Sequence, residues 1–164
     1  DKYGISKVKA IVEGGKERYH SVFEGLKQTS DADYVLIHDG ARPFVNQDII
    51  RRCMQEVQKY QACVVGMPVK DTIKIADEEG YAKQTPDRKN VWMIQTPQTF
   101  SYALIYEAYE EMLKTEDTAI TDDAMVLERI KGKKSKLIEG SYRNIKITTP
   151  EDLLIANVYL QHPE

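Results

Sequence analysis

The chain has 164 residues, of which 41% are hydrophobic and 30% are charged, a composition typical of one globular domain with a buried core. Its 23 Lys and Arg residues against 26 Asp and Glu residues give a net charge of −3, which argues against a general nucleic-acid-binding surface. No apolar run reaches the roughly 18 to 20 residues that cross a bilayer, and no charged-then-apolar signal segment opens the chain, so we expect no membrane partner.

Strands and helices alternate along the first part of the chain. The apolar spacing predicts, in chain order, a strand at 8–13, a helix at 18–26, a strand at 34–38, a helix at 47–60 and a strand at 62–69. The second and third strands are continuously apolar, which is typical of a parallel sheet covered on both faces. This order predicts an α/β fold with a Rossmann-like, mostly parallel sheet and helices on both of its faces.

The two cysteines lie in these apolar runs. Cys53 falls in the predicted helix at 47–60 and Cys63 in the strand that follows, without C-x-x-C spacing or accompanying histidines. This pattern predicts reduced core thiols in a cytoplasmic protein.

The alternation breaks between Lys70 and Arg88. Residues 72–75 alternate, residues 77–80 resemble a turn, and residues 81–86 return without an apolar face. We therefore expect a hairpin at about 70–88 that projects from the domain as a β-arm.

The remaining elements are shorter. The segment 91–100 predicts a strand that begins at its first residues and ends in Pro97. The pattern then predicts helices at 101–114 and 121–130, strands at 136–139 and 144–148, and a last helix at 150–160. Thr121 and Thr149 are the predicted N-caps, and Asp122 and Asp123 are expected to do no more than favour the start of the second of these helices. No linker or repeat interrupts the chain, so residues 1–164 are expected to form a single domain.

Ligands of open α/β sheets bind beyond the carboxyl ends of the strands, so the residues that directly follow each apolar run are site candidates. They include basic side chains, hydroxyls, glycines and one acid able to meet Mg²⁺, the groups that phosphoryl or nucleotidyl transfer requires. The candidates are Gly14, Gly15, Lys16, Arg18, Asp39, Arg42, Asp71, Thr72, Thr96, Gln98, Lys146 and Thr148.

Asp39 and Arg42 lie three residues apart after the predicted strand at 34–38, and Pro43 stiffens the segment. The pair is poised to hold a metal ion and a phosphate side by side. A structural alternative stays open, in which Asp39 only forms an Asx-turn with its own backbone and Arg42 is a surface residue.

Lys146 lies between Ile145 and Ile147 in the predicted strand at 144–148. If both isoleucines point to one face of a doubly covered sheet, the ammonium group is buried on the other face and needs a nearby anion. The alternative is a lysine whose charged end reaches solvent from an edge strand.

Several other chemistries are disfavoured. His20, His38 and His162 share no metal-ligand spacing, so a zinc site is not expected. The sequence contains no G-x-S-x-G elbow and no Walker-type lysine, which argues against hydrolase and ATPase functions.

Six segments, taken in order, resemble the 2-C-methyl-D-erythritol 4-phosphate cytidylyltransferase family of the non-mevalonate isoprenoid pathway. They are "GGKERYHSVFEGL", "VLIHDGARP", "PVKDTIK", "DRKNVWMIQTPQTF", "TDDAMVLE" and "NIKITTPEDL". Ribitol-5-phosphate cytidylyltransferase shares some of these segments and remains an alternative, although "DTIK" and "TDDA" favour the methylerythritol enzyme.

The resemblance implies transfer of CMP from CTP to the alcohol phosphate, with release of pyrophosphate and with Mg²⁺ or another divalent cation. It places Asp39 at the metal and assigns catalytic roles to Arg88 and Lys146, which would clamp the substrate phosphate. It assigns the nucleotide contacts to Gly15, Lys16, Ser21, Asp39 and Gly40. The contacts to the alcohol phosphate are assigned to Asp39, Arg42, Thr72, Arg88, Thr96, Thr121 and Lys146.

The resemblance also implies a homodimer in which the β-arm reaches the other subunit. The family begins with a strand and a glycine-rich loop that Asp1 and the residues after it do not supply. We therefore expect an N-terminally truncated chain that is nearly inactive by itself. A non-catalytic module that binds a nucleotide or a sugar phosphate is the alternative from another functional class.

Overall fold

The computed structural model describes residues 3–115 and 119–163, which contain both helices and strands. The helices are α1 (Arg18–Lys27), α2 (Gln47–Tyr60), α3 (Tyr102–Met112), α4 (Asp123–Lys131) and α5 (Pro150–Gln161), with one 3₁₀ turn at Arg88–Asn90. The strands are β1 (Tyr34–Ile37), β2 (Ala62–Pro68), β3 (Ile75–Ala76), β4 (Ala82–Gln84), β5 (Trp92–Ser101) and β6 (Lys136–Glu139). No helix within these residues combines the length and the apolar character that a membrane crossing requires.

Four of the strands form one sheet in the order β1–β5–β2–β6. The β2 and β6 strands are parallel, with Cys63 opposite Lys136 and Gly66 opposite Glu139. Neighbouring strands of this sheet are distant in sequence, and α-helices lie between β1 and β5 and between β2 and β6 along the chain. The predicted α/β class is therefore confirmed.

The contacts divide the chain into two compact units. The first unit comprises described residues within Asp1–Val35 and Phe100–Lys134, and the second comprises those within Leu36–Thr99 and Ser135–Glu164. The boundary cuts the chain within β1 and β5. Because one domain can contain several compact units, the single domain expected from sequence stays a prediction.

The core of the second unit is built on β2 and α2. Residues 62–67 of β2 are all buried, and α2 buries Ile49, Cys53 and Val57, which are spaced four residues apart on one helical stripe. Asn46 begins α2 by accepting a hydrogen bond from the Ile49 amide at 3.0 Å. Cys53 and Cys63 are free and buried, and burial raises the pKa of the Cys63 thiol to about 12.

A buried ion pair connects α1 to α4 in the first unit. The Asp123 carboxylate has no exposed surface and accepts hydrogen bonds from Arg18 Nη1 and Nη2, both at 2.8 Å, and from the Tyr109 hydroxyl at 2.6 Å. Burial, followed by the charge and hydrogen bond of Asp123, raises the pKa of Tyr109. The expectation that Asp123 only favours a helix start was therefore wrong, because the fold brings an arginine 105 positions away to its carboxylate.

Two predicted strands are absent from the described residues. Residues 4–15 have no regular secondary structure, and the Ile11 side chain is 93% exposed, so the strand expected at 8–13 is not formed. Residues 144–148 are also irregular. A short apolar run becomes a strand only when a neighbouring strand takes up its backbone hydrogen bonds, and no β pairing is present at these two places in the part of the chain described.

Two predicted boundaries also moved. The β5 strand does not end at Pro97 but continues to Ser101, through a cis Thr96–Pro97 peptide bond, so Thr96 and Gln98 lie inside a strand rather than after it. Thr121 is not the N-cap of α4, because Asp122 takes that position and accepts from the Met125 amide at 2.8 Å. By contrast, α5 has the predicted capping box, in which Thr149 and Asp152 bond each other's backbone amides.

The segment expected to form a hairpin contains the antiparallel pair β3 and β4, in which Ile75 faces Gln84. The Asp77 carboxylate closes the connection by accepting from the amides of Glu79 and Tyr81, at 3.1 and 2.9 Å. Both short strands are exposed along their length. The hairpin is thus a separate two-stranded sheet with little buried surface of its own.

Substitution of Gly140 tests the packing around β2 and β6, and substitution of Gly25 is the control. A Cβ at Gly140 would lie 2.5 Å from both Val65 Cγ1 and Gln95 Oε1, whereas a Cβ at Gly25 in α1 meets nothing within 4 Å. We expect Gly140→Ala to lower the free energy of unfolding by about 1–3 kcal/mol. We expect Gly25→Ala to raise it by about 0.4–1 kcal/mol, because alanine favours a helix. Urea denaturation measures both changes, and equal effects would contradict the close packing at Gly140.

Candidate functional site

Three charged side chains meet at the carboxyl end of β1. Asp39 Oδ2 lies 3.0 Å from Lys146 Nζ and 3.9 Å from Arg42 Nε, and we call these three residues the Asp39 cluster. The Arg42 amide donates to the Asp39 carbonyl at 3.0 Å, which closes the turn that carries both residues. The structure therefore brings together an acid and two cations that are separated by up to 107 positions in the sequence.

Arg42 is the most enclosed cation of the Asp39 cluster, with only 13% of its side chain exposed. Its Nη1 donates to the carbonyl of Asn144 at 2.8 Å and its Nη2 to that of Ile94 at 3.4 Å. Burial lowers the pKa of Arg42, and the nearby Asp39 carboxylate offsets part of that effect. Arg42 is thus not the surface residue of the structural alternative, since it connects three segments of the second unit.

The buried Nε group of Arg42 has no hydrogen-bond partner among the described residues. It is an N–H donor whose nearest described anion is the Asp39 carboxylate, at 3.9 Å. A desolvated donor next to a charged pair is costly, so this geometry favours an additional acceptor at the cluster.

Thr96 and His38 fix the turn that carries Asp39. Thr96 Oγ1 accepts from the Asp39 amide at 3.1 Å and lies 2.9 Å from His38 Nδ1, while His38 Nε2 lies 3.0 Å from the Arg42 carbonyl. Because a carbonyl only accepts, Nε2 carries the proton, and Nδ1 of a neutral ring accepts from the Thr96 hydroxyl. Every hydrogen-bonding group in this ring is then satisfied, so His38 orients the turn although its sequence context gave it no role.

Two buried amides behind the Asp39 cluster were also missed by the sequence reasoning. Asn144 is fully buried, and its Nδ2 donates to the Thr96 carbonyl at 2.8 Å and to Gln95 Oε1 at 3.2 Å. Gln95 in turn donates to the Ser141 carbonyl at 2.8 Å. The available signal was a polar residue inside each of two apolar runs, "MIQTPQTF" and "NIKI", since such a residue is buried only with hydrogen-bond partners.

Lys146 lies on the irregular segment 144–148, where the Ile147 amide donates to the Ala41 carbonyl at 2.8 Å. Its side chain is 44% exposed, so the expectation of a buried ammonium group on a strand was wrong. The argument from alternating faces does not apply to a segment that is not a strand. The expected anion is nevertheless present, because Asp39 supplies it.

Thr72 and Arg88 lie on either side of the β3–β4 hairpin, and both are exposed. Arg88 begins the 3₁₀ turn, and its Nη1 donates to the carbonyl of Lys70 at 3.4 Å. Gly40 is exposed in the turn after β1, and a Cβ there would meet nothing within 4 Å. The contacts of these residues with a ligand stay predictions.

The other predicted site residues belong to the first unit. The Gly15 amide donates to Ser21 Oγ at 3.1 Å, and a Cβ at Gly15 would come within 2.2 Å of His20 Cβ, so glycine is required for this close approach. Lys16 is exposed before α1. Thr121 is exposed before α4, where its hydroxyl lies 3.9 Å from Met125 Sδ.

Asp39 is the predicted metal ligand. No group of three or more His, Cys, Asp or Glu side chains placed to hold a metal ion is found among the residues that the structure describes. A site based on Asp39 would therefore use one protein carboxylate. Mg²⁺ in nucleotide enzymes is commonly held by one or two carboxylates together with substrate phosphates, and a single aspartate fits that pattern.

Comparisons with known proteins agree along most of the chain. Residues 4–162 match the family described as "IspD: 2-C-methyl-D-erythritol 4-phosphate cytidylyltransferase". The enzyme of that name from Lachnospira eligens is 54% identical over 158 residues, which cover 96% of this chain and 70% of that protein. Its counterpart from Alkaliphilus oremlandii is 53% identical over 160 residues, with coverages of 97% and 67%.

Solved structures show the same similarity. A 4-diphosphocytidyl-2C-methyl-D-erythritol synthase from Anaerococcus prevotii has a TM-score of 0.86 and 42% identity, and the match covers 92% of this chain and 67% of that one. A 2-C-methyl-D-erythritol 4-phosphate cytidylyltransferase from Thermus thermophilus has a TM-score of 0.83 and 33% identity, with coverages of 97% and 79%.

Substitution of the buried amide tests the support behind the Asp39 cluster. Asn144→Ala removes the donor to the Thr96 carbonyl and to Gln95 Oε1, which leaves buried acceptors unpaired. We expect a loss of about 1–3 kcal/mol in the free energy of unfolding. Asn157→Ala, on the exposed surface of α5, is the matched control and should change stability by less than about 0.5 kcal/mol. Similar values for the two variants in urea denaturation would refute the supporting role of Asn144.

Proposed function

Because the chain belongs to the 2-C-methyl-D-erythritol 4-phosphate cytidylyltransferase family, we propose that it transfers CMP from CTP to 2-C-methyl-D-erythritol 4-phosphate with release of pyrophosphate. The resemblance read from the sequence is thereby confirmed at the level of the family. The observation that carries the proposal in this structure is the Asp39 cluster, because its acid and two cations suit a reaction between two phosphate groups.

Lys146 is the proposed catalytic cation of the cluster. Its ammonium group pairs with Asp39 at 3.0 Å, and its side chain is 44% exposed, so we expect an incoming phosphate to reach it. Bonds between an ammonium group and a phosphate are charge-assisted and strong, so a phosphate dianion competes well with one carboxylate. Lys146 would then hold the alcohol phosphate while its charge favours the attack of that phosphate on CTP.

Arg42 supports the proposed role of Lys146 as a second cation next to Asp39. Its guanidinium is fixed by two backbone carbonyls and stays next to Asp39, so it contributes positive charge without the freedom to fold over a ligand. The cluster as a whole has two cations for one anion, an excess that favours a phosphate ligand. We propose that Arg42 and Thr96 contact or orient the alcohol phosphate.

A divalent cation is the remaining chemical requirement, and enzymes of this family generally depend on one. We propose Mg²⁺ with Asp39 as its protein ligand. When bound, the ion would offset the negative charge of the triphosphate and of the departing pyrophosphate. Lys146 and the ion would share or exchange the Asp39 carboxylate, since Lys146 already contacts Oδ2.

The roles of the hairpin are also proposed. Thr72 and Arg88 lie at the two ends of the segment that contains β3 and β4, and the exposed surface of these strands is suited to contact with a second subunit. We propose a homodimer in which the hairpin is the contact, with Arg88 as the second cation on the substrate phosphate. Three further points stay predictions: the cytoplasmic location, the near inactivity of the 164-residue chain by itself, and the ligand contacts assigned to Gly15, Lys16, Ser21, Gly40 and Thr121.

The reaction is tested directly by product formation. The natural protein that contains this chain is incubated with CTP and Mg²⁺ and with either methylerythritol phosphate or ribitol 5-phosphate, and the release of pyrophosphate is measured. We expect turnover of methylerythritol phosphate and loss of turnover when the divalent cation is chelated. Turnover of ribitol phosphate alone would change the substrate, and binding without any turnover would support a non-catalytic module instead.

Lys146→Gln tests the proposed cation. Loss of a charge-assisted bond to phosphate should lower kcat/KM for the alcohol phosphate by about 10- to 100-fold. Lys59→Gln is the matched control, because Lys59 pairs with Glu56 on the exposed side of α2 in a similar way, and it should stay within about twofold of the unmodified protein. A Lys146→Gln variant with unchanged kcat/KM would remove Lys146 from the mechanism.

A further inference from the structure

The first residues of two helices are joined by a buried ion pair. Arg18 is the first residue of α1, and Asp123, 105 positions later, is the first residue of α4. Arg18 Nη1 and Nη2 donate to Asp123 Oδ1 and Oδ2, each at 2.8 Å, so the contact is bidentate. Both helices belong to the first unit. The pair therefore fixes the start of α1 relative to the start of α4.

Candidate site residues precede both of these helix starts. Gly15 and Lys16, which the family resemblance assigns to the nucleotide, lie within three positions of the start of α1. Thr121, which it assigns to the alcohol phosphate, lies two positions before Asp123. One ion pair thus connects the segment proposed to bind CTP with the segment proposed to bind the second substrate.

The segment before α1 is attached to α1 itself. Residues 4–15 have no regular secondary structure. The Gly15 amide donates to Ser21 Oγ at 3.1 Å, and the Glu17 amide donates to His20 Nδ1 at 3.3 Å. Both acceptors belong to α1, so the place of its first turn decides where the nucleotide candidates lie.

Tyr109 of α3 provides a third donor to the pair. Its hydroxyl donates to Asp123 Oδ1 at 2.6 Å, and its ring stacks on Phe23 of α1 with the centroids 6.1 Å apart. Phe23 holds the middle of α1, whereas Arg18 holds its first turn. Stacked apolar surfaces can slide past each other, but a bidentate contact between two planar groups fixes both distance and orientation.

We propose that Arg18 and Asp123 are positioning residues that hold the nucleotide segment and Thr121 in a fixed relation before the substrates arrive. The inference rests on the proposed function, because it assumes that Gly15 and Lys16 bind CTP and that Thr121 binds the alcohol phosphate. Asp123 is not expected to touch a substrate, since its carboxylate has no exposed surface. Segments that are already in place lose less entropy when the substrates bind.

A purely structural role predicts a different kinetic result. Two charges are costly to remove from water, and apolar residues of similar volume often give equal stability, so stability by itself is a weak reason for this pair. If the pair only stabilises the fold, its loss reduces the folded fraction and lowers kcat at unchanged KM. If it positions the two segments, KM for both substrates rises in protein that remains folded.

Asp123→Asn tests the pair in the natural protein that contains this chain, because the amide keeps the size of the carboxylate but removes its charge and one acceptor oxygen. Asp48→Asn is the matched control, since Asp48 also lies in the first turn of a helix and pairs with Arg51, but on the exposed surface. For Asp123→Asn we expect KM for CTP and KM for methylerythritol phosphate each to rise by about three- to tenfold. Asp48→Asn should change each KM by less than about twofold.

Amide hydrogen exchange measures the coupling without turnover. The hydrogen-bonded amides of Gly15 and Glu17 should exchange faster in Asp123→Asn than in Asp48→Asn, although position 123 is remote from them in sequence. An unmodified protein without turnover would refute the proposed function and leave exchange to judge the coupling. Unchanged exchange at both amides, or a lower kcat with unchanged KM values, would overturn the inference.

A triple variant decides the case in which Asp123→Asn does not fold. Arg18→Met, Tyr109→Phe and Asp123→Leu together replace the two charges and the hydroxyl by apolar groups of similar size, so no buried charge is left unpaired. We expect this variant to fold and to show the same rise in both KM values, because apolar contact does not fix the orientation of the helix starts. KM values equal to those of the unmodified protein would overturn the inference.

Discussion

The structure of the candidate site depends on one enclosed positive charge, the guanidinium of Arg42. A guanidinium shielded from water must be surrounded by oxygen atoms, and here these are the carbonyls of Asn144 and Ile94 and the carboxylate of Asp39. The three groups come from three separate segments, so Arg42 fixes the turn after β1, a position in β5 and the start of the segment that carries Lys146. The geometry of the candidate site is in this sense a consequence of satisfying a buried charge.

The same turn is held from its other side by neutral hydrogen bonds. Thr96 and His38 satisfy the Asp39 amide and the Arg42 carbonyl, and the amide of Asn144 satisfies the Thr96 carbonyl. The Asp39 carboxylate therefore points in a direction that the fold has already set. Such preorganisation is the main way in which proteins stabilise charge during phosphoryl transfer, because a fixed group does not have to be reoriented at the moment of reaction.

Arg18 in the first unit and Arg42 in the second unit have different roles. Arg18 follows a glycine pair and was a reasonable candidate for an anion, yet its guanidinium is bidentate on the buried carboxylate of Asp123. Arg42 also lies near an acid, but its Nε is 3.9 Å from Asp39 Oδ2, and that oxygen is paired at 3.0 Å with Lys146, whose side chain is 44% exposed. The position of an arginine after a strand or a glycine pair thus makes it a site candidate. The partner that the fold supplies decides whether the arginine has a structural role or is available to a ligand.

The sequence by itself determined what depends on neighbours within a few positions. The bounds of α2, the capping box at the start of α5, the strand β6 and the buried cysteines follow from local spacing, and the family follows from segments along most of the chain. The tertiary structure alone decided that residues 8–13 form no strand, that Lys146 is half exposed, and that Asn144 and Asp123 are buried with remote partners. The physical reason is that a helix satisfies its hydrogen bonds internally, whereas a strand, a buried amide or a buried charge needs a partner that only the folded chain brings to it.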